Sequence, residues 1–177
     1  SHQRVMVIEL MGHHAGWITL HAGMAGGADV ILLPELGFDM DIVCEVLNNR
    51  KKNGKSYSIV ALAEGIEVEG GTGGHHPATY FAREIEKRTG IEARETVLGY
   101  IQRGGSPSSY DRNLGTLLGG YAAKLINDKK FGRMVSVKGV KITDVSLEDV
   151  AGKLRIVEPN DPMVLQGKKM GISFGIK

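Results

Sequence analysis

A chain of 177 residues, 42% apolar and 24% charged, is long enough to bury a core and too apolar to stay disordered. Its 22 basic and 20 acidic residues leave a formal charge of +2, which argues against a nucleic-acid binder that works by bulk charge. No apolar run approaches the roughly 20 residues that cross a bilayer, so no membrane partner is expected, and the single cysteine, Cys44, rules out an intrachain disulfide.

The chain opens on Ser1-His2-Gln3-Arg4-Val5, with neither a methionine nor a signal-peptide pattern, and runs directly into a strand; it is expected to be a piece of a longer protein. Val5–Leu10 is apolar on both parities, the mark of a strand buried on both faces. Gly12 ends it. Ala15–Ala25 reads as a helix with Trp17, Leu20 and Met24 on one face, closed by Gly26-Gly27. Val30–Leu33 is a second strand stopped by Pro34. Asp39 is the expected N-cap of a helix whose stripe is Ile42, Val43, Val46 and Leu47, with Cys44 as a core filler beside them. Tyr57–Ala63 is a third strand, residues 65–77 a glycine-rich loop, Ala78–Thr89 a helix ended by Gly90, and Glu95–Ile101 a fourth strand. Beyond Arg103 the spacing predicts a helix over Asp111–Asn127, a strand at Arg133–Val137, a short helix over Ser146–Leu154 and one more short helix after Asp161. Strands alternating with helices of this length define an α/β fold, three layers with a mostly parallel sheet.

Ligands of such sheets bind beyond the carboxyl ends of the strands. Three segments meet there: Met11-Gly12-His13 after the first strand, Glu64-Gly65 after the third, and Gln102-Arg103-Gly104-Gly105 after the fourth. Glycines admit a ligand close to backbone N–H groups, His13 and Arg103 can take an anion, and Glu64 can accept from sugar hydroxyls. From the pattern alone these are equally turns and solvated rims. Arg4 and Arg94 precede strands and so lie at the amino ends, about 20 Å from that pocket. They are surface charges or serve a neighbouring subunit. Histidines at 13, 14, 21, 75 and 76 lack a ligand spacing with carboxylates, so no metal is expected on the chain itself. Gly70–Gly74 lacks the Lys-Ser/Thr of a phosphate loop and reads as a flexible insertion.

The stretch Arg94-Glu-Thr-Val-Leu-Gly99-Tyr100-Ile-Gln102-Arg103-Gly104-Gly105, followed by Asp111-Arg112, resembles the phosphofructokinase signature. Ser1-His2-Gln3-Arg4 through Met11-Gly12-His13-His14-Ala15-Gly16 is similar to the preceding sugar-phosphate segment of that family, and Ala63-Glu64-Gly65 matches a third motif in the right order. The resemblance implies a 6-phosphofructokinase of the ATP- or pyrophosphate-dependent kind, represented here by its C-terminal, sugar-phosphate-binding half. It would transfer a phosphoryl group to the 1-hydroxyl of fructose 6-phosphate, with Mg2+ accompanying ATP or pyrophosphate in the missing half, in a cytoplasmic homo-oligomer (dimer or tetramer) with shared sites. By the same resemblance Arg4 and Arg94 would hold the 6-phosphate across a subunit interface. Arg103 would hold it too, Glu64 the sugar hydroxyls, and the Met11-Gly12 backbone would line the sugar. His13 would lie towards the transferred group, and Asp29 and Lys55 would match effector-site residues. Residues 1–106 would form the fructose 6-phosphate domain, 107–159 would pack on the donor-binding domain, and 160–177 would return to the first. The isolated chain is expected to be inactive.

Two positions depart from the family pattern. His13 stands where the family has Arg, and imidazole, with an ordinary pKa of about 6.5, is neutral for much of the time near pH 7 and lacks the guanidinium fork. Tyr100 stands where the family has His and brings no positive charge. Both weaken the field around the substrates, and they motivate an alternative: a catalytically impaired regulatory or sugar-phosphate-binding paralogue.

Overall fold

A computed structural model describes residues 4–177; Ser1-His2-Gln3 of the first motif lie outside the described residues. The chain divides into two compact units. The first holds the described residues up to Gln102 together with Arg155–Lys177, and the second is Arg103–Leu154.

In the first unit four strands, β1 (Arg4–Leu10), β2 (Val30–Leu32), β3 (Tyr57–Ala63) and β4 (Glu92–Val97), form an all-parallel sheet in the order β2-β3-β1-β4. Alternation sorts the side chains of β1. Val5 and Val7 join Val60, Leu62 and Ala93 beneath α2 (Met40–Lys52) and α3 (Pro77–Thr89), in a cluster centred on Phe81 and Ile85. Ile8 and Leu10 face the other way, towards Leu20 of α1 (Trp17–Ala25), Val164 of α6 (Pro162–Lys169) and Phe174 of the tail. Helices on both faces of a parallel sheet make the three-layer α/β arrangement expected from the sequence. α1 can lie close because Gly23 has no side chain: a Cβ there would stand 2.8 Å from Ile31 and 3.2 Å from Ala61. The tail also extends the sheet edge, since Ile31 N–H donates to the Ser173 carbonyl (2.8 Å) and Ser173 N–H to that of Asp29 (3.0 Å).

Local chemistry explains most boundaries. Asp39 caps α2 as expected, its carboxylate accepting from Asp41 N–H (2.8 Å). Cys44 is buried in that layer, where burial pushes its thiol pKa up. α3 begins on Pro77 and ends at Gly90 in the left-handed conformation, φ 64°.

The fourth strand differs from expectation. It starts at Glu92, three residues early, because Gly90 releases the chain at once and Ile91 and Ala93 are buried against α3. It stops at Val97, because Gly99 (φ 53°) turns the backbone into a 3-10 turn over Gly99–Arg103. Arg94 therefore sits inside β4, opposite Met6 of β1, rather than before it.

The second unit pairs α4 (Ser109–Asn127) with a hairpin of β5 (Arg133–Lys138) and β6 (Lys141–Ser146). β6 was not expected, and the helix expected over Ser146–Leu154 is only α5 (Leu147–Val150). The signal was the left-handed Gly139 (φ 63°) at a two-residue turn. α4 opens two residues earlier than its expected start on a capping box, Ser108 with Asp111. Inside this unit the Asp144 carboxylate accepts from Tyr121 Oη (2.8 Å) and pairs with Arg133; first the tyrosine and then the arginine hold its pKa below the usual range. A lowered carboxyl pKa stabilises above the unfolded value, about 4, and the benefit disappears as pH falls through the folded value. Asp144→Asn is expected to lower the thermal midpoint by about 2 °C at pH 7, the difference from wild type closing as the pH drops below about 4. A pH-independent difference would remove the ion pair from the account.

Candidate sugar-phosphate site

The segment after β1, Met11–Gly16, turns back sharply, with Ala15 N–H bonded to the Gly12 carbonyl (3.0 Å). Gly12 lies at φ 151°, and a Cβ there would stand 2.4 Å from the Ala15 carbonyl oxygen. His13 follows at φ 54°, a left-handed conformation that a non-glycine residue adopts only at some cost.

Side chains from three other segments hold this loop. Oε1 of Glu64, just beyond β3, accepts from both Gly12 N–H (3.0 Å) and His13 N–H (2.8 Å). Oε1 of Gln102, beyond β4, accepts from Met11 N–H (3.0 Å). Oε1 of Glu35, beyond β2, accepts from Gly16 N–H and Val157 N–H (both 2.9 Å). The carboxyl ends of all four strands thus converge on one loop. Sequence reasoning gave Glu64 its place but overlooked Glu35 and saw Gln102 only as part of a motif. The available signal was a carboxylate or amide beyond the carboxyl ends of β2, β3 and β4, directly after the strand for Glu64 but several residues further on for Glu35 and Gln102.

The loop and Glu64 border an open cleft of about 440 Å³ lined by Glu9, His13, His14, Glu64, Gly65, His76 and Pro77. Glu9 is another residue the sequence reading missed. It is 3% exposed, yet its carboxylate meets His76 Nδ1 (2.9 Å) and accepts from Ala78 N–H (2.9 Å), so a strand residue caps α3. Oε2 of Glu64 makes no hydrogen bond among the described residues, which leaves one acceptor for a ligand. Two carboxylates and three imidazoles suit a hydroxyl-rich ligand better than a bare anion. Among the described residues no cluster of three His, Cys, Asp or Glu side chains is placed to hold a metal ion.

Guanidinium groups gather at the other end of the sheet. Arg4, the first residue of β1, is in register with Glu92 of β4, and Arg94 follows on the same face of that strand. Glu92 Oε2 takes Arg4 Nε (2.9 Å), while Oε1 takes Arg94 Nε (3.0 Å) and Nη2 (2.7 Å). The hydrogen bond from Arg4 first, and that from Arg94 second, hold the Glu92 carboxyl below the usual range. Arg4 lies six residues from Leu10, about 20 Å along the strand, whereas Arg94 is only three residues, about 10 Å, from Val97.

The remaining expected residues are more dispersed. Tyr100 is 79% exposed in the 3-10 turn. Arg103 ends that turn and is the first residue of the second unit. Asp29 is engaged by Arg50 (2.8 Å) and by Ile59 N–H (2.9 Å), and among the described residues no hydrogen bond or ion pair joins it to Lys55.

The fold is thus a parallel α/β sheet with a cleft lined by carboxylates and imidazoles at its carboxyl end and an Arg–Glu–Arg cluster towards its amino end. The family model described as Phosphofructokinase matches residues 1–126, and the chain belongs to that family. It is 55% identical over 175 residues to ATP-dependent 6-phosphofructokinase 3 of Bacteroides thetaiotaomicron, covering 99% of this chain and 51% of that protein. It is 44% identical over 190 residues to a pyrophosphate–fructose 6-phosphate 1-phosphotransferase of Streptomyces coelicolor, covering 99% and 54%. In fold it matches the crystal structure of a pyrophosphate-dependent phosphofructokinase from Marinobacter aquaeolei, with a TM-score of 0.79 at 23% identity, covering 98% of this chain and 45% of that one. The chain spans about half the length of the curated relatives it matches.

Proposed function

We propose that this chain is the sugar-phosphate-binding half of a 6-phosphofructokinase that transfers a phosphoryl group from ATP or pyrophosphate to the 1-hydroxyl of fructose 6-phosphate. The observation that carries the reading is Glu64. Its Oε1 fixes the Gly12–His13 backbone and its Oε2 is left open at the cleft, which suits binding of a sugar hydroxyl. Met11 and Gly12 supply the backbone beside the sugar, and His13 stands on the side of the transferred group. Arg103 and Tyr100 add contacts to the 6-phosphate. Arg4 and Arg94 serve the same phosphate in a neighbouring protomer, so the enzyme works as a homo-oligomer. Mg2+ arrives with the donor and neutralises phosphate charge during transfer. The donor site belongs to the part of the relatives that this chain does not match. Residues 107–159 pack on that part, a role supported by the exposure of Leu117, Ile126, Phe131 and Val137. Asp29 and Lys55 contribute to an effector site, and the enzyme acts in the cytoplasm. Among the described residues no helix is long and apolar enough to cross a membrane.

The full-length protein is expected to turn over fructose 6-phosphate with ATP or pyrophosphate in a coupled assay, and residues 1–177 alone to show no turnover with either. His13 and Tyr100 favour a second reading, a regulatory relative that binds the sugar phosphate without transferring to it. Binding of fructose 6-phosphate by the full-length protein with no turnover on either donor would select that reading.

A further inference from the structure

Arg4 and Arg94 already hold an anion of this chain. A single carboxylate, Glu92, engages both guanidinium groups, one oxygen on Arg4 and the other on two nitrogens of Arg94. The group is accessible: side-chain exposure is 40% for Arg4, 33% for Glu92 and 62% for Arg94. Register brings the three side chains together, since Arg4 and Glu92 are neighbours across β1 and β4 and Arg94 lies two residues along the same face of β4. The two cations and one carboxylate sum to one positive charge. Without Glu92 they sum to two, which matches a phosphate dianion.

We propose that Glu92 is a resident competitor for the Arg4–Arg94 pair, displaced by an incoming phosphate dianion, and that it sets the affinity and charge selectivity of this half-site. The inference rests on the reading that Arg4 and Arg94 bind the sugar phosphate. A dianion has three acceptor oxygens and can engage both guanidinium forks with more charge than the carboxylate it displaces. A monoanion gains nothing over Glu92 and does not displace it. Displacement is cheap, because exposed ion pairs of this type contribute little to stability. The arginines keep the Glu92 carboxyl ionised well below neutrality, so the competitor is present throughout the working range. Glu86 and Glu95 also act on Arg94, but as charges at a distance rather than as bonded partners.

The test is Glu92→Gln in the full-length enzyme, with Glu92→Ala as a second variant in case the amide makes new contacts. Both are expected to lower the KM for fructose 6-phosphate by about three-fold, with kcat within a factor of two. Inorganic phosphate, used as a competitive inhibitor, is expected to bind more tightly by a similar factor, and the gain should shrink in Glu92→Gln/Arg94→Ala. An unchanged or raised KM in both variants overturns the proposal, because it makes Glu92 a support for the arginines and not their competitor. Arg94→Ala separates the two levels. If it raises KM while the Glu92 variants do not lower it, only the competitor role fails. If it leaves KM unchanged, the phosphate reading of the pair fails and the competitor role fails with it.

Discussion

Arg94→Ala in the full-length enzyme is expected to raise the KM for fructose 6-phosphate by roughly ten- to a hundred-fold, with a much smaller change in kcat. On the proposed reading the 6-phosphate is remote from the 1-hydroxyl, and losing one of its contacts is expected to appear mainly in binding. Arg94 makes a forked contact to the Glu92 carboxylate, Nε at 3.0 Å and Nη2 at 2.7 Å, and the same fork fits a phosphate. Arg94→Lys keeps the charge but not the fork and is expected to fall between wild type and alanine. Because Arg94 lies on the edge strand β4, and neither it nor Arg4 lines the cleft of its own protomer, mixing Arg94→Ala subunits with subunits disabled at Glu64 should regenerate some intact sites. If the mixture has no more activity than its parents, the shared-site arrangement is lost.

Gly65→Ala is expected to reduce both stability and turnover substantially. A Cβ at Gly65 would stand 1.9 Å from the His13 carbonyl oxygen and 3.0 Å from its carbon, and the obstructing atoms are backbone. One residue must move. Either Glu64-Gly65 withdraws and breaks the bonds that Gly12 and His13 N–H donate to Glu64 Oε1, or the loop shifts and His13 leaves its left-handed conformation. Overpacking of this type costs about 1–3 kcal/mol, and misplacing a binding loop by an ångström can cost two orders of magnitude in rate. Thermal melting and steady-state kinetics of the full-length variant check both parts. Wild-type values in both would mean that the contact between Gly65 and the loop is dispensable.

The alternation of apolar runs with glycine-ended helices was sufficient to read the parallel sheet, because strands buried on both faces leave continuous apolar runs such as Val5–Ile8. The fourth strand was misplaced for the opposite reason. β4 is an edge strand with charged residues at 92, 94 and 95, so the run that marks a buried strand is missing, and the apolar Val97-Leu98 drew the expected boundary forward. β6 was hidden in the same way, its residues only half buried on a two-stranded sheet. At the site, Glu64 and the Met11–His13 loop were legible as residues directly after strands. Glu9 was not. A carboxylate inside a buried strand has meaning only once α3 is known to start beside it. The Arg4–Glu92–Arg94 triad needed the register of β1 against β4, which no local pattern encodes.

Trp17 is the chain's single tryptophan, and it begins α1 immediately after the loop that Glu35, Glu64 and Gln102 hold in place. Its indole N–H donates to the Arg155 carbonyl (2.8 Å), and the Arg155 guanidinium lies over its ring at 4.7 Å. Ultraviolet emission excited at the indole therefore originates from one position, a few residues from His13, with a cation stacked on the fluorophore. Sugar-phosphate titrations can be followed on the unlabelled protein, and an altered intensity or wavelength would report the loop's surroundings directly.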